Sequence, residues 1–349
     1  MGLTEPRDLD RWRARQAAHI PMARRLLRAG RAALQPGRAE RTPIVVHGGG
    51  APGGVLIVLD STNVTSRLAL LAPARQLPRE LVTIVAPSSL EAALPASTWP
   101  IRSASAQALD QLAAEASVTL STGHYLELGG RAYAAATRRG RAFVTVQHGL
   151  LTPAAPPLAP DTQLLAWSAG DGEFWAAGRS DIRISVTGSQ LLYEAAASPS
   201  PAPSDGPPLY LGQLHGAELP FEGLARSAEA FCLAEHAAYR PHPSETDRRS
   251  RATHQRWESL GIAIDRSGTP LTALNRPVVS AFSTGVLEAA ARGVPAWVHF
   301  LDPPPWLTDF WERYGMHPWG MPPSPPPPIS EHAPAQQVAE RVLAIGGLT

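Results

Sequence analysis

Lysine is missing altogether: all 31 basic residues of this 349-residue chain are arginine. That excludes a lysine Schiff base and the lysine of a phosphate-binding P-loop. With 36 prolines and 29 glycines, the bias reads as the imprint of a GC-rich coding sequence. Cysteine is nearly as scarce. Cys232 stands alone, which rules out an intramolecular disulfide and a multi-cysteine zinc site. Its neighbours Ala230, Phe231, Leu233 and Ala234 predict a buried small hydrophobe rather than a nucleophile. Eleven histidines are scattered without metal-ligand spacing, so neither a metal nor a cofactor is expected. No apolar run approaches the ~18 residues that span a bilayer. The Arg-rich start lacks the apolar segment of a secretory signal, and a cytoplasmic protein is expected. Charged residues make up 17% and the net charge is +1, which gives no reason to expect nucleic acid as a partner.

What is present is enough apolar material, 44% of the chain, to build two domain cores. The small net charge hides an asymmetry: residues 1–41 carry +6, leaving −5 for the rest. Residues 7–35 read as a basic amphipathic helix, with Leu9, Trp12, Ala17, Ile20, Leu27 and Leu34 among arginines and a break or kink at Pro21. Such a piece either touches an anionic membrane surface peripherally or packs on its domain with the arginines solvated.

From residue 55 short apolar strands alternate with helices. Strands are expected at Val55–Leu59, Leu81–Val85, Val118–Leu120, Ala142–Val146, Leu164–Trp167 and Ile182–Val186, with helices at 64–73, 105–116 and 129–139. Residues 197–208 have linker composition. The alternation then resumes with strands at Leu209–Leu211, Ala238–Arg240, Pro277–Ala281 and Ala296–Phe300, and helices at 220–237, 244–259 and 284–292. Pro-rich 302–328 reads as irregular chain, and 333–345 as a closing helix. Repeated βαβ units mean mainly parallel sheets. The expected organisation is a basic helical extension (1–54), a Rossmann-like lobe (55–196), a linker (197–208), a second Rossmann-like lobe (209–330) and a C-terminal helix (331–349), with a cleft between the lobes.

Three segments can carry chemistry. In Ser283–Pro295 a strand gives way to a helix that opens with Ser283, Thr284 and Gly285, offering free N–H groups and hydroxyls to a phosphate. Glu288 lies one turn inside, within reach of ribose hydroxyls. An ordinary N-capped helix is the bland alternative. In Tyr239–Glu245, prolines on both sides hold His242 in an extended loop beside Arg240, where it could bind a diphosphate or protonate a leaving phosphate. Ser244 is the expected cap of the next helix, with Asp247 completing the start. In Val146–Pro153, His148 projects from a strand end, where a near-neutral imidazole would suit a general base. Weaker candidates at strand ends are His124, Asp60 with Asn63, and the turn Gly212–Gly216; they could line the cleft, but a merely structural role is the expected one for each. The glycines at 48–50 and 53–54 lead into a strand rather than a helix, so no dinucleotide fingerprint is assigned. The tryptophans at 306 and 311 are expected to pack the tail on the second lobe.

Together the three segments resemble GT-B transferases, in particular the CDP-glycerol glycerophosphotransferases and the bacterial polysialyltransferase and capsule-polysaccharide enzymes. Gln147-His148-Gly149 matches, with two residues fewer, a Gln-x-x-His-Gly element that carries a base. Pro241-His242-Pro243 matches a Pro-His-Pro element at the donor phosphates, and Ser283-Thr284 a hydroxyl-rich helix start. Glu288, Gly293 and Pro295 are similar to the GT-B donor-ribose region. The acidic pair before glycine of the polysialyltransferases has no clear counterpart; Gly170-Asp171-Gly172 comes nearest.

The resemblance implies metal-independent transfer of a sugar or phosphopolyol from a CMP-, CDP- or UDP-linked donor to a hydroxyl of a glycan or lipid-linked acceptor. His148 and His242 would be catalytic. Gly212, Gln213, Arg240, Ser283, Thr284, Gly285 and Glu288 would bind the donor, and Gln147, Asp60, Asn63 and His124 the acceptor. A nucleotide-sugar 2-epimerase and a non-catalytic binding protein on the same fold are the alternatives.

Overall fold

The structure is a computed structural model that describes residues 2–18, 43–198, 206–216 and 218–348. The chain forms two compact α/β units, the first built from Gly2–Gln190 and Ser330–Thr349 and the second from Leu191–Ile329. The linker expected at 197–208 lies mostly outside the described residues, and the division falls just upstream of it.

The first unit carries an eight-stranded sheet in the order β4-β1-β3-β2-β5-β6-β7-β8. Its strands are β1 (Ile44–His47), β2 (Val55–Val58), β3 (Val82–Ala86), β4 (Ile101–Ala104), β5 (Val118–Ser121), β6 (Ala142–Val146), β7 (Gln163–Ala166) and β8 (Arg183–Val186). β3, β2 and β5 to β8 run parallel, and β1 joins β3 and β4 antiparallel. Strand periodicity divides the core. Val55 and Ile57 face a layer that contains Leu70 and Leu71 of α2 (Val64–Ala74) and Val338 and Val342 of α11 (Pro334–Gly346). Leu56 and Val58 face Leu109 of α3 (Ala106–Glu115) and Leu128 and Ala132 of α4 (Glu127–Thr137). Burial on both faces explains why these strands read as continuous apolar runs.

Two expectations are corrected here. Residues 1–54 are not wholly a helical extension, because Ile44 and Val46 are buried and β1 is an inner strand. β4 was not anticipated, since an edge strand reading Ile-Arg-Ser-Ala is partly exposed along its length. Of the helix expected over 7–35, α1 (Leu9–Ala18) is observed, with no buried residue; Pro21 and the remainder lie outside the described residues. Among the described residues no helix is long and apolar enough to cross a membrane.

The rest of the first unit comprises α5 (Ala169–Ala176) and the start of α6 (Gln190–Ala196). The second unit has a four-stranded parallel sheet, β10-β9-β11-β12, formed by β9 (Leu209–Leu211), β10 (Ala238–Arg240), β11 (Val278–Ser280) and β12 (Ala296–Val298). Its helices are α7 (Phe221–Ala234), α8 (Arg248–Ser259), α9 (Thr284–Ala291) and α10 (Pro305–Arg313). α10 overturns the irregular reading of 302–328: its prolines sit at the cap and first position, where no N–H is needed, and Leu307, Phe310 and Trp311 are buried. The Trp311 indole donates to the Ala281 carbonyl at 2.7 Å, and Trp306 meets Phe282 edge-on. Cys232 is buried, and burial pushes its thiol up to about 12.

In each unit the first parallel strand lies between its two successors: β2 between β3 and β5, and β9 between β10 and β11. These are topological switch points, where carboxyl-end turns diverge and open a crevice. Leu120 is fully buried at the centre of β5. Leu120→Ala should cost about 2–5 kcal/mol of stability in urea unfolding, by lost transfer energy and a cavity; no measurable change would contradict the core described.

Candidate functional site

At the switch point of the second unit, three turns leave adjacent strand ends: 212–216 after β9, 241–245 after β10 and 281–285 after β11. Two side chains tie them together. Gln213 Oε1 accepts from the Ser280 hydroxyl at 3.0 Å and the Phe282 N–H at 2.9 Å, joining the first turn to the third. Glu245 joins the first to the second. Its Oε1 accepts from the Leu214 N–H at 3.0 Å and the His242 N–H at 3.2 Å; its Oε2 accepts from the Tyr239 hydroxyl at 3.0 Å and bonds His254 Nε2 at 3.0 Å. Glu245 is buried, so each of these bonds satisfies a group that water cannot easily reach. Gly212 permits the close approach, because a Cβ there would fall 2.3 Å from the Tyr239 oxygen.

The network fixes the chemical form of His242. The Ser244 N–H donates to His242 Nδ1 at 3.1 Å, and an N–H can only donate, so that ring nitrogen carries no proton. The hydrogen of the neutral ring therefore sits on Nε2. Burial lowers the His242 pKa, partly offset by Glu245, which favours this neutral donor. His215 stacks on His242 with centroids 3.8 Å apart and planes at 14°. On the other side, Ser283 caps α9 by accepting from the Gly285 N–H at 3.1 Å. Glu288 is nearly buried one turn further in, and burial raises its pKa against a hydrogen bond from Thr284. Gly212, Gln213, His242, Ser283, Thr284, Gly285 and Glu288 thus occupy one end of one sheet.

Several assignments change. Arg240 is engaged inside the fold, 3.5 Å from the Asp265 carboxylate and bonded to the Thr269 carbonyl. Ser244 does not cap the following helix. Asp247 does, accepting from Arg249 and Ser250 N–H at 2.9 and 3.2 Å, because its carboxylate reaches the first turn directly. Gln213 acts as a brace. Glu245, Tyr239 and His254 escaped sequence reasoning, since a buried carboxyl on a proline-flanked turn leaves no spacing signal.

The remaining candidates belong to the first unit. Asp60, after β2, accepts from Leu128 and Gly129 N–H at 2.7 and 2.8 Å and so caps α4; burial raises its pKa against those bonds. Asn63 caps α2 through the Ser66 N–H at 2.8 Å. Gln147 is a brace, donating to the Gly149 carbonyl at 3.0 Å and accepting from the Trp167 N–H at 2.8 Å. Asp60 and Asn63 thus take the structural roles that their strand-end positions also allowed. His124 and His148 differ: each keeps a buried Nδ1 without a partner among the described residues. The near-neutral imidazole expected at 148 is not what the fold produces, because burial lowers its pKa to about 4; His124 is lowered equally, by burial and then by Arg13 and Arg179. Both rings are therefore unprotonated at neutral pH. Gly170 and Asp171 lie in the first turn of α5 behind its Ser168 cap. Among the described residues no cluster of three or more His, Cys, Asp or Glu could hold a metal ion.

Glu245→Ala should cost about 2–4 kcal/mol by stranding buried donors. Glu245→Gln, which retains an acceptor, should cost less than half of that. Equal losses in chemical denaturation would contradict the bracing role.

No protein-family model matches the chain, and no curated protein matches it. Among solved structures, an O-GlcNAc transferase variant from Thermobaculum terrenum is similar with a TM-score of 0.45 and 16% identity, over 84% of this chain and 61% of that one. This chain therefore spans less than two thirds of that transferase's length. Anabaena HepE in complex with UDP-glucose has a TM-score of 0.44 and 12% identity, over 83% of this chain and 89% of the other. HepE with UDP gives 0.40 and 12%, over 84% and 97%.

Proposed function

We propose that the protein is a GT-B-type transferase that moves a sugar or phosphopolyol from a nucleotide-activated donor to an acceptor hydroxyl. The observation that carries this reading is the braced set of turns in the second unit. It presents a neutral His242 with hydrogen on Nε2, and a capped helix start with Ser283 and Thr284, at one switch point. A diphosphate suits such a place: hydrogen-bond donors and the positive end of a helix dipole converge, and rigid turns hold them before the ligand arrives. Glu288, one turn along α9, supplies a carboxyl for the ribose. Its raised pKa gives it the option of donating as well as accepting.

In this reading His148 of the first unit acts on the acceptor hydroxyl. Its lowered pKa leaves the ring unprotonated at neutral pH, with less basicity than an ordinary imidazole. The proton lost by the acceptor passes to His148, the acceptor oxygen bonds the transferred group, and the nucleotide departs with the electrons of the broken bond. Fixed donors at His242, at Ser283 and at the start of α9 offset the charge on the leaving phosphate, so turnover is expected to persist in EDTA. The acceptor belongs to the class of envelope glycans or lipid-linked glycans, and residues 7–35 offer a basic contact for an anionic membrane.

Titration calorimetry with CMP, CDP, UDP and GDP tests the donor site; absence of binding by all four would refute it. His242→Ala should weaken nucleotide binding by about 1.5–3 kcal/mol, the worth of a hydrogen bond to a charged group. His148→Ala should leave nucleotide affinity intact and slow transfer by about 10²–10⁴-fold. Unchanged turnover in the second variant would remove His148 from the mechanism. Conversion of a UDP-sugar without acceptor would instead identify an epimerase.

A further inference from the structure

His215 has no place in the scheme so far. Its ring lies flat against His242, and among the described residues no hydrogen-bond partner reaches either of its nitrogens. Two imidazolium rings at a centroid distance of 3.8 Å would repel strongly, so the stacked pair carries at most one positive charge. The two rings are not equivalent recipients. A proton entering neutral His242 must go to Nδ1, which the Ser244 N–H occupies. His215 carries no such restraint.

We propose that His215 is the proton-accepting half of the donor site: when a nucleotide diphosphate diester binds, the His215 imidazole takes one proton from solvent and pairs with the diphosphate, while His242 stays neutral and donates from Nε2. This rests on the donor reading given above. In the free chain burial and His242 hold the His215 pKa down, with Glu245 opposing them. Other charged groups near the pair lie on the neighbouring turns and on α9, where the Glu288 carboxyl stands one turn in. Glu245 is bonded to Tyr239 of β10 and His254 of α8, Arg240 to Asp265, and Glu218 lies beside Gly216. The turn after β11 contributes only hydroxyls. A bound diphosphate adds negative charge beside the one ring free to accept a proton. The resulting imidazolium would neutralise further charge as the bond to the transferred group breaks.

The sign follows from linkage. A group whose pKa rises on binding strengthens binding at low pH, and that gain fades as pH climbs through the bound-state value. Calorimetry in buffers of different ionisation enthalpy measures the uptake directly. Suitable probes are UDP-glucose, GDP-mannose and CDP-glycerol, whose diphosphates have no titrating proton near neutrality. For the tightest of the three, uptake should approach one proton near pH 6 and fade toward pH 8, and affinity should be about tenfold higher near pH 6 than near pH 8. His215→Phe, which keeps the stack, should abolish both effects. His242→Gln should bind more weakly yet keep the uptake. Binding without uptake in the wild type, or undiminished uptake in His215→Phe, would overturn the role of His215 alone. If none of the three binds, the donor site itself is refuted, and this role falls with it.

Discussion

The buried Glu245 carboxyl is the constraint on which the second unit's site depends. A carboxyl in such a place must be saturated with donors, and here the donors come from turns that otherwise share little. Leu214 and His242 offer backbone N–H groups, Tyr239 a hydroxyl, and His254 a ring nitrogen. Saturating one side chain therefore fixes the positions of two loops relative to each other. Gln213 extends the same logic to the third loop with a neutral amide. The result is a rigid frame built from polar contacts at the end of a small, largely apolar sheet. In the transfer proposed above its rigidity would matter chemically: donors already in place need no reorganisation when charge develops on a leaving phosphate.

The first unit distributes its polar groups differently. Asp60 and Asn63 both end up as helix caps, although each stands at a strand end, the usual address of a ligand contact. Caps and ligand contacts draw on the same free N–H groups, so a sequence offers no means of telling them apart at such positions. Among the candidates His148 and His124 differ, each with a buried Nδ1 that lacks a partner among the described residues, a condition that His47 of β1 shares. An unsatisfied nitrogen in a buried position is costly, which sets these rings apart from the better-bonded Gln147.

How much of this was legible before the coordinates follows from the kind of signal each residue leaves. The parallel strands were readable because burial on both faces forces continuous apolar runs, as in Val55–Val58 and Val82–Ala86. β4 was not, because an edge strand has no such requirement. α10 was hidden by its own prolines, which break helices in the interior but open them at the first turn. At the site, His242 and Ser283 announced themselves through flanking prolines and a strand-to-helix junction. Glu245 did not, because its role arises from contacts between turns distant in sequence, which no local pattern encodes, and His215 stood out only as a member of the turn Gly212–Gly216.

The path of the chain through its two units carries a consequence for biosynthesis. Val338, Ala339 and Val342 of α11 belong to the same core as Val55 and Ile57, yet they are made only after the whole of the second unit. Emerging from the ribosome, the first sheet must wait, with part of one face uncovered, until the final helix is synthesised. At about 5–20 residues per second, the intervening stretch imposes a delay of many seconds. During that interval an exposed apolar face and incomplete packing invite chaperone binding, and the nascent chain is most vulnerable to aggregation before its last turn of helix docks.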